Sequence, residues 1–441
     1  MLLPKVLIIN QPFNSNTGGG ITLSNLFGNW ERNKLAVACS GYSLTEDMDP
    51  KLCNNYYQLG SKERKWIFPF NLLRRKYYSG PINIDDRANN NDKIVVKKSK
   101  LRVKLIMDFI VPIFDYIGLS HFQAKLKLSS SFCKWLDEFD PDIYYMQASS
   151  REDIILCNEI IKYKRRPVVF HMMDDWPSLI GIKGFMKNFW KRKIDKEFRL
   201  LLTRADLLMG ISEYMCEVYK KRYGKAFVTF HNPINLNFWK KVQRNNYQLT
   251  KSPTLLYAGR IGLGINKSLR NIAEAIKKVN KELHTDIKFI IQAQDAPNWI
   301  KNYKNVDHRE FVKYEDLPTV FSKADFLILP YDFSTESLSY IKYSMPTKAP
   351  EYMASGTPIV IFAPRDTALV QYAEKYHWAT VVTENSVAVL TEKLKKLFLD
   401  ISLREQVAKT AKNIAETRHE SNLVVREFEQ MILTVAGKKK I

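Results

Sequence analysis

"SMPTKAPEYMASGTPIVIFAP", residues 344–364, reads as a loop, a short helix and a strand. Thr347 is placed to cap the helix, and Pro350 is tolerated in its first turn, where no intrahelical N–H bond is lost. Gly356 ends the helix, and the apolar run that follows is a buried strand. The helix carries a single acidic residue, Glu351, in its first turn beside Lys348. A carboxylate there interacts well with the helix dipole, and that is its plain structural explanation. The stretch also follows a strand, "FLILPY", so the helix N-terminus is expected at a ligand-facing edge. A carboxylate at that edge can accept both hydroxyls of a ribose.

Further apolar runs lie on both sides. "KVLIIN", "DIYYMQ", "PVVFHMM", "LLMGIS" and "AFVTFH" form one set of short buried strands. "TLLYAG", "IKFIIQA", "FLILPY" and "TPIVIFA" form a second. Helical patterns such as "SLRNIAEAIKKVNKELH" separate most of them. That alternation means an α/β fold with parallel sheets covered on both faces. The polar stretch 240–253 is the expected linker. It divides an N-terminal Rossmann-like domain, residues 1–245, from a C-terminal one, residues 246–419. A last helix at about 420–441 is expected to pack back on the first domain. At roughly 150 residues per domain, 441 residues give two or three. Two facing α/β domains leave a deep cleft at the C-terminal ends of their strands, where such sheets bind ligands.

Composition narrows the classes. Five scattered cysteines with no paired spacing argue against a disulfide framework or zinc ribbon and for a reducing compartment. No stretch approaches the roughly 20 apolar residues of a membrane-spanning helix, and "MLLPKVLIINQPF" reads as a first strand, not a signal peptide. The formal charge is +22, and residues 61–104 carry 13 Lys and Arg against 4 Asp and Glu. Such a surface serves nucleic acid, anionic lipid or a phosphorylated substrate, or is simply solvated. Arg74, Arg75 and Lys76, in "KWIFPFNLLRRKYY", are the candidates for contact with an anionic membrane. The apolar 101–122 stretch beside them is either a buried core helix or an interfacial one.

"YAGRIGLGINKS" places Arg260 after a strand and Lys267 near the start of a helix. A guanidinium and an ammonium beside a helix N-terminus make a diphosphate site, or else a merely basic turn. Neither a Walker A loop nor a dinucleotide fingerprint is present. Gly18, Gly19 and Gly20 follow the first strand. They either let backbone approach a sugar closely or form a flexible turn. "VVFHMMDDWPSL" ends a strand with His171 and continues with Asp174 and Asp175. The histidine suits a hydrogen-bonded core position, and the carboxylates suit helix caps or contacts to acceptor hydroxyls. "DPD" at 140–142 reads as a turn between helix and strand, and no metal site is expected.

These motifs resemble the retaining glycosyltransferases of family 4. "GR…K" is followed about 80 residues later by "PTKAPEYMASGTPIV". "NSNTGGGI" is similar to the family's N-terminal glycine loop, and "ADLLMGISEYMCEVYKKRYG…VTFHNPIN" to its segment before the linker. The resemblance is specific over about 254–385 and loose over 1–240.

The resemblance implies the GT-B fold and transfer of a sugar, with retention, from a nucleotide-diphosphate donor, a UDP- or GDP-sugar, without a cofactor or metal. It implies that Glu351 binds the ribose, that Arg260 and Lys267 neutralise the diphosphate, and that Thr347, Lys348 and the three glycines complete the donor site. His171 then lines the sugar pocket. The first Glu of the family's E-x7-E motif is replaced by Ser344. Its role passes to the backbone, to Glu336 or to no group.

The expected acceptor is a lipid-linked or lipopolysaccharide-type glycan in bacterial cell-surface polysaccharide synthesis. The expected location is cytoplasmic, on the inner face of the plasma membrane. A sugar-nucleotide epimerase of the same fold and a non-catalytic GT-B partner protein are the alternatives. Nucleic-acid binding explains neither Glu351 nor the glycines.

Overall fold

The structure is a computed structural model. It describes residues 2–15, 17–41, 43–44, 48–66, 77–83, 108–109, 111–119, 124–179, 184–262 and 264–437. Arg74, Arg75 and Lys76 lie outside the described residues, as does most of the basic 61–104 stretch. The chain forms two compact units. The first comprises Met1–Gly210, Cys216–Phe230 and Val425–Ile441, and the second Ile211–Met215 and His231–Val424.

The first unit contains β1 (Val6–Ile9), β2 (Leu35–Ser40), β3 (Asn55–Leu59), β4 (Arg64–Trp66), β5 (Gly80–Asn83), β6 (Ala124–Leu126), β7 (Ile143–Met146), β8 (Val168–Met172), β9 (Leu207–Gly210) and β10 (Val228–Thr229). Eight of them form one sheet in the order β10-β9-β8-β7-β1-β2-β3-β5. All its pairings are parallel except β3 with β5. β4 and β6 make a separate antiparallel pair. The central strands β1, β7 and β8 are buried at every residue, as a sheet covered on both faces requires. Phe428, on the last helix (Ser421–Gly437), packs edge-on against Phe27, Tyr145 and Phe230 of this unit.

The second unit is a six-stranded, fully parallel sheet of β11 (Thr254–Ala258), β12 (Lys288–Gln292), β13 (Val306–Arg309), β14 (Phe326–Pro330), β15 (Ile359–Phe362) and β16 (Thr380–Val382). Its order is β13-β12-β11-β14-β15-β16. Side-chain alternation splits its core into two layers. Leu256, Ile290, Leu327 and Ile359 face the Lys348–Ser355 helix, while Leu255, Phe289, Phe326 and Val360 face the Asn266–Leu283 helix. The 240–253 stretch is not a free tether. Arg244 pairs with the buried Asp325 at 3.0 Å and donates to the Ala324 carbonyl at 2.7 Å.

Every apolar run singled out in the sequence contains a strand. Five further strands, β2, β3, β5, β13 and β16, complete the sheets. Of the 101–122 stretch, the described Val111–Ile117 helix is not a core helix, because Ile113, Tyr116 and Ile117 are exposed. "DPD" is a turn, as expected. Asp140 takes a left-handed conformation at the end of the Ser130–Phe139 helix, and Asp142 accepts from the Lys5 amide.

The Lys348–Ser355 helix is buried along almost its whole length and ends at Gly356 with φ 76°. A Cβ at Gly356 would lie 2.6 Å from the Arg244 carbonyl oxygen. Gly356→Ala therefore combines left-handed strain with a backbone clash. We expect it to lower unfolding stability by about 1–3 kcal/mol, read by urea denaturation. An unchanged midpoint would contradict this account of the turn.

Candidate active site

β11 ends at Ala258, and side chains of the Lys348–Ser355 helix engage both backbone groups of that residue. The Ala258 amide donates to the Tyr352 hydroxyl at 3.0 Å, and the Lys348 ammonium donates to the Ala258 carbonyl. Gly259 follows: a Cβ there would lie 2.5 Å from Lys348 Nζ and 2.7 Å from the Tyr257 hydroxyl, so a side chain would displace the ends of these two side chains. Tyr257 in turn donates to the Arg260 carbonyl at 2.7 Å, which holds the start of the loop. Arg260 itself is exposed.

Glu351 lies one turn beyond Lys348 and is only 9% exposed. Burial pushes its carboxyl up to about 7, against the opposing pull of Lys348 and of a hydrogen bond from Tyr314. That bond is long, 3.4 Å from the Tyr314 hydroxyl to Oε1. Tyr314 is held flat against Phe238, with ring centroids 5.2 Å apart. Burial likewise pulls the Lys348 ammonium down to about 8, with Glu351 opposing and Arg260 adding to the fall. Lys348, Glu351 and Arg260 thus form one electrostatic unit at the C-terminal edge of a parallel sheet. Thr347 occupies the N-cap position, but its side chain makes no capping hydrogen bond, contrary to the sequence reading. Its backbone is already helical, so the hydroxyl is not presented to the first-turn amides.

The Asn266–Leu283 helix departs from the expectation of an open anion site. Its first-turn amides are capped from within the protein, since Asp332 accepts from Ser268 N at 2.7 Å and Lys267 N at 3.4 Å. Asp332 is buried, and its own amide donates to the Gly264 carbonyl at 2.7 Å. What this end offers an anion is therefore the exposed Lys267 side chain, not the helix amides. Gly264, at φ 92°, needs its glycine for the turn. Ser344 follows the Thr335–Ile341 helix, its amide donating to the Ile341 carbonyl at 3.2 Å. Glu336 is exposed in the first turn of that helix.

The remaining candidates lie in the first unit. Gly18, Gly19 and Gly20 open the Gly18–Leu26 helix, capped by Thr17, whose Oγ1 accepts from Gly20 N at 3.0 Å. Gly20 has a packing reason to lack a side chain, because a Cβ would lie 2.3 Å from Asn14 Oδ1. His171 is buried with both ring nitrogens engaged. Nε2 donates to the Phe230 carbonyl at 3.1 Å, and Nδ1 accepts from the Tyr145 hydroxyl. This is a hydrogen-bonded core position, one of the two places the sequence allows for His171. Asp175 is buried too, accepting from Tyr219 at 2.6 Å and Arg222 at 2.7 Å, while Asp174 is exposed.

Tyr314, Tyr257 and Asp332 escaped the sequence reading. Asp332, an acid two residues after the Phe326–Pro330 strand, is the one whose position in the sequence could have drawn notice. Among the described residues no group of three or more His, Cys, Asp and Glu side chains is placed to hold a metal ion.

Residues 252–400 match the family model of the group 1 glycosyl transferases, so the signature covers most of the second unit and about a third of the chain. No curated protein matches the chain in sequence. Solved structures match over nearly its full length. Sucrose-phosphate synthase from Thermosynechococcus elongatus is 12% identical, with a TM-score of 0.61 over 98% of this chain and 99% of that one. A glycosyltransferase from Rickettsia africae is 11% identical, with a TM-score of 0.60 over 99% and 100%. Anabaena HepE in complex with UDP-glucose is 12% identical, with a TM-score of 0.53 over 98% and 100%. Two parallel-sheet Rossmann-like units matching these structures are the GT-B fold.

Burial of Glu351 has a consequence for stability. A carboxyl raised from 4.5 to about 7 binds a proton in the native state that the unfolded chain has released. Its contribution is therefore full below pH 4.5 and is lost as pH rises through 7. Relative to Glu351→Gln, the wild type is expected to lose about 3 kcal/mol across that window, at 1.36 kcal/mol per unit. Urea denaturation at stepped pH reads the difference. Parallel curves would refute the assignment, and a surface helix-dipole carboxylate would give them.

Proposed function

We propose that this chain is a retaining glycosyltransferase of family 4 type, moving a sugar from a nucleotide-diphosphate donor to a glycan or glycolipid acceptor. The observation that carries the reading is the buried Glu351 beside Lys348 and Arg260, at the ligand-binding edge of the unit that bears the glycosyl transferase signature. A carboxylate kept out of water, with no short partner of its own, is suited to both hydroxyls of a ribose. Arg260 and Lys267 act on the diphosphate. When the bond between anomeric carbon and diphosphate oxygen breaks, its electron pair leaves on the diphosphate, and the two cations stabilise that charge. The acceptor hydroxyl oxygen forms the new bond to the anomeric carbon, and its proton passes to the departing diphosphate.

Thr347 and the glycines at 18–20 are assigned to donor contacts, and Asp174 and Asp175 to the acceptor side. Of these two acids, Asp174 has the exposed side chain. His171, with both nitrogens engaged in the core, acts on the sugar only through the position of the strand end it fixes. The Anabaena neighbour solved with UDP-glucose supports a UDP-sugar as donor.

Glu351→Gln is expected to weaken nucleoside diphosphate binding by about 1.5–3 kcal/mol, the range for hydrogen bonds to a charged group. Wild-type affinity in calorimetry would sink the ribose assignment. Arg260→Ala and Lys267→Ala should depress turnover more than nucleoside binding. EDTA should leave activity nearly unchanged, since the cations do a metal's work. Activity lost in EDTA and restored by manganese would overturn this mechanism. Ser344, in place of the family's first Glu, favours one second reading, a non-catalytic partner protein. Donor binding without sugar transfer to any glycolipid would establish it.

The acceptor is proposed to be lipid-linked, with the enzyme peripheral on an anionic membrane. Ile113, Tyr116 and Ile117 share one helix face and are 54%, 66% and 44% exposed. Phe185, 88% exposed, lies beside them, its amide donating to the Tyr116 carbonyl at 2.8 Å. Lys187, Lys191 and Arg192 are exposed nearby in sequence, and each basic residue near such a surface adds on the order of 1 kcal/mol. No helix among the described residues is long and apolar enough to cross a membrane. Binding to anionic liposomes should be strong at low salt, fade as salt rises, and fall sharply in the combined Ile113→Ser, Tyr116→Ser, Phe185→Ser variant. Sedimentation of that variant at wild-type level would remove this surface from the account.

A further inference from the structure

The first unit holds a cavity that the chemistry above does not use. The order of its sheet puts a topological switch between β1 and β7: the chain leaves β1 toward β2 and β3 and returns on the other side at β7. Open α/β sheets bind ligands outside the carboxyl ends of the strands at such a point. A cavity of ≈ 180 Å³ lies there. Drug-sized pockets begin at about 300 Å³, so this one suits a single ring. Among its lining residues, Asn10 follows β1, Ser40 ends β2, Leu59 ends β3, and Ser149 lies just beyond β7.

Asn10 takes a left-handed backbone conformation, φ 77°, which is uncommon for a residue with a side chain. Its Nδ2 donates to the Gln147 carbonyl at 2.7 Å, across the switch from β1 to β7. That bond fixes the amide and leaves Oδ1 to accept from a ligand. The Ser40 and Ser43 hydroxyls share one hydrogen bond of 3.2 Å, so one of their two protons remains for another partner. Arg64, on β4, pairs with Glu152, in the first turn of the Arg151–Tyr163 helix, and both line the cavity. A cationic donor and a carboxylate side by side match adjacent sugar hydroxyls, each of which both donates and accepts. Leu59, Leu126 and Leu156 offer an apolar wall to the C–H face of the ring.

The charge of the lining selects further. Against Arg64 stand three carboxylates, Glu63, Glu152 and Asp153. The Asp153 amide, in the first turn of the helix, is taken by the Ser150 hydroxyl at 3.3 Å, so that turn does not offer it to an anion. A negatively charged ligand would enter against the field of these acids. We infer that this cavity seats an uncharged sugar ring, the terminal residue of the acceptor, held by Asn10 and by the Arg64–Glu152 pair. This rests on the transferase reading above. It makes Glu152 the residue that turns away acceptors ending in a uronic acid or a phosphorylated sugar.

Saturation-transfer NMR on the full chain tests this with the methyl glycosides of glucose, galactose, mannose and N-acetylglucosamine, and with glucuronic and galacturonic acids. At least one neutral glycoside should bind about fivefold or more tightly than either acid. Asn10→Gly keeps the left-handed turn and removes the amide. It should weaken binding of that glycoside by about 5- to 30-fold, the loss of one or two hydrogen bonds. Glu152→Gln should weaken it similarly and narrow the gap between neutral and acidic sugars. Both variants should keep the wild-type melting midpoint and UDP affinity. No binding of any neutral glycoside, a preference for the acids, or wild-type sugar binding in both variants would each overturn the assignment. Nucleotide titrations without sugar read the other site separately. A wild type that takes the glycoside but neither UDP nor GDP would overturn the donor reading and leave the sugar seat standing.

Discussion

The bond from the Lys348 ammonium to the Ala258 carbonyl, paired with the Ala258 amide on the Tyr352 hydroxyl, sets everything else at the second unit's edge. It replaces the ladder bonds that a strand loses at its end with side chains from a different element. One helix is thereby locked to one strand terminus at a single rotation. That rotation puts Glu351 out of water and next to Lys348, and a Cβ at residue 259 would push the ammonium from its place. The motif "GR" and the motif "PTKAPEY" are thus two sides of one contact, about 90 residues apart.

The arrangement is expensive to hold. An acid raised to about 7 and a base lowered to about 8 both report that charge is unwelcome there. A site arranged only for stability would have used apolar residues. Under the proposed function, the one long hydrogen bond on Glu351 is the bond that a ligand's would replace.

The first unit works differently. Its candidate polar residues are largely satisfied internally. His171 bridges Tyr145 and Phe230, Asp175 gathers Tyr219 and Arg222, and Asn14 fills the space that Gly20 leaves open. Strand ends are where both ligands and structural caps gather, so internal bonding and a place at a site occur together there.

The sequence by itself determined the class of fold, because strands buried on both faces must be continuous apolar runs, and the runs stood apart from helical periods. It also marked Glu351, Lys348, Arg260 and Lys267, since charges at strand ends and helix starts are legible from spacing alone. It did not reveal β2, β3, β5, β13 and β16, most of which lie toward sheet edges, where burial leaves a weaker signature. Nor did it reveal that Asp332 takes the helix amides meant for an anion, that Thr347 does not cap, or that Tyr314 covers Glu351. Those facts belong to the tertiary structure alone. A hydrogen bond between residues 37 or 64 positions apart has no period to read, and whether a polar group is free or spent depends on which distant partner the fold delivers.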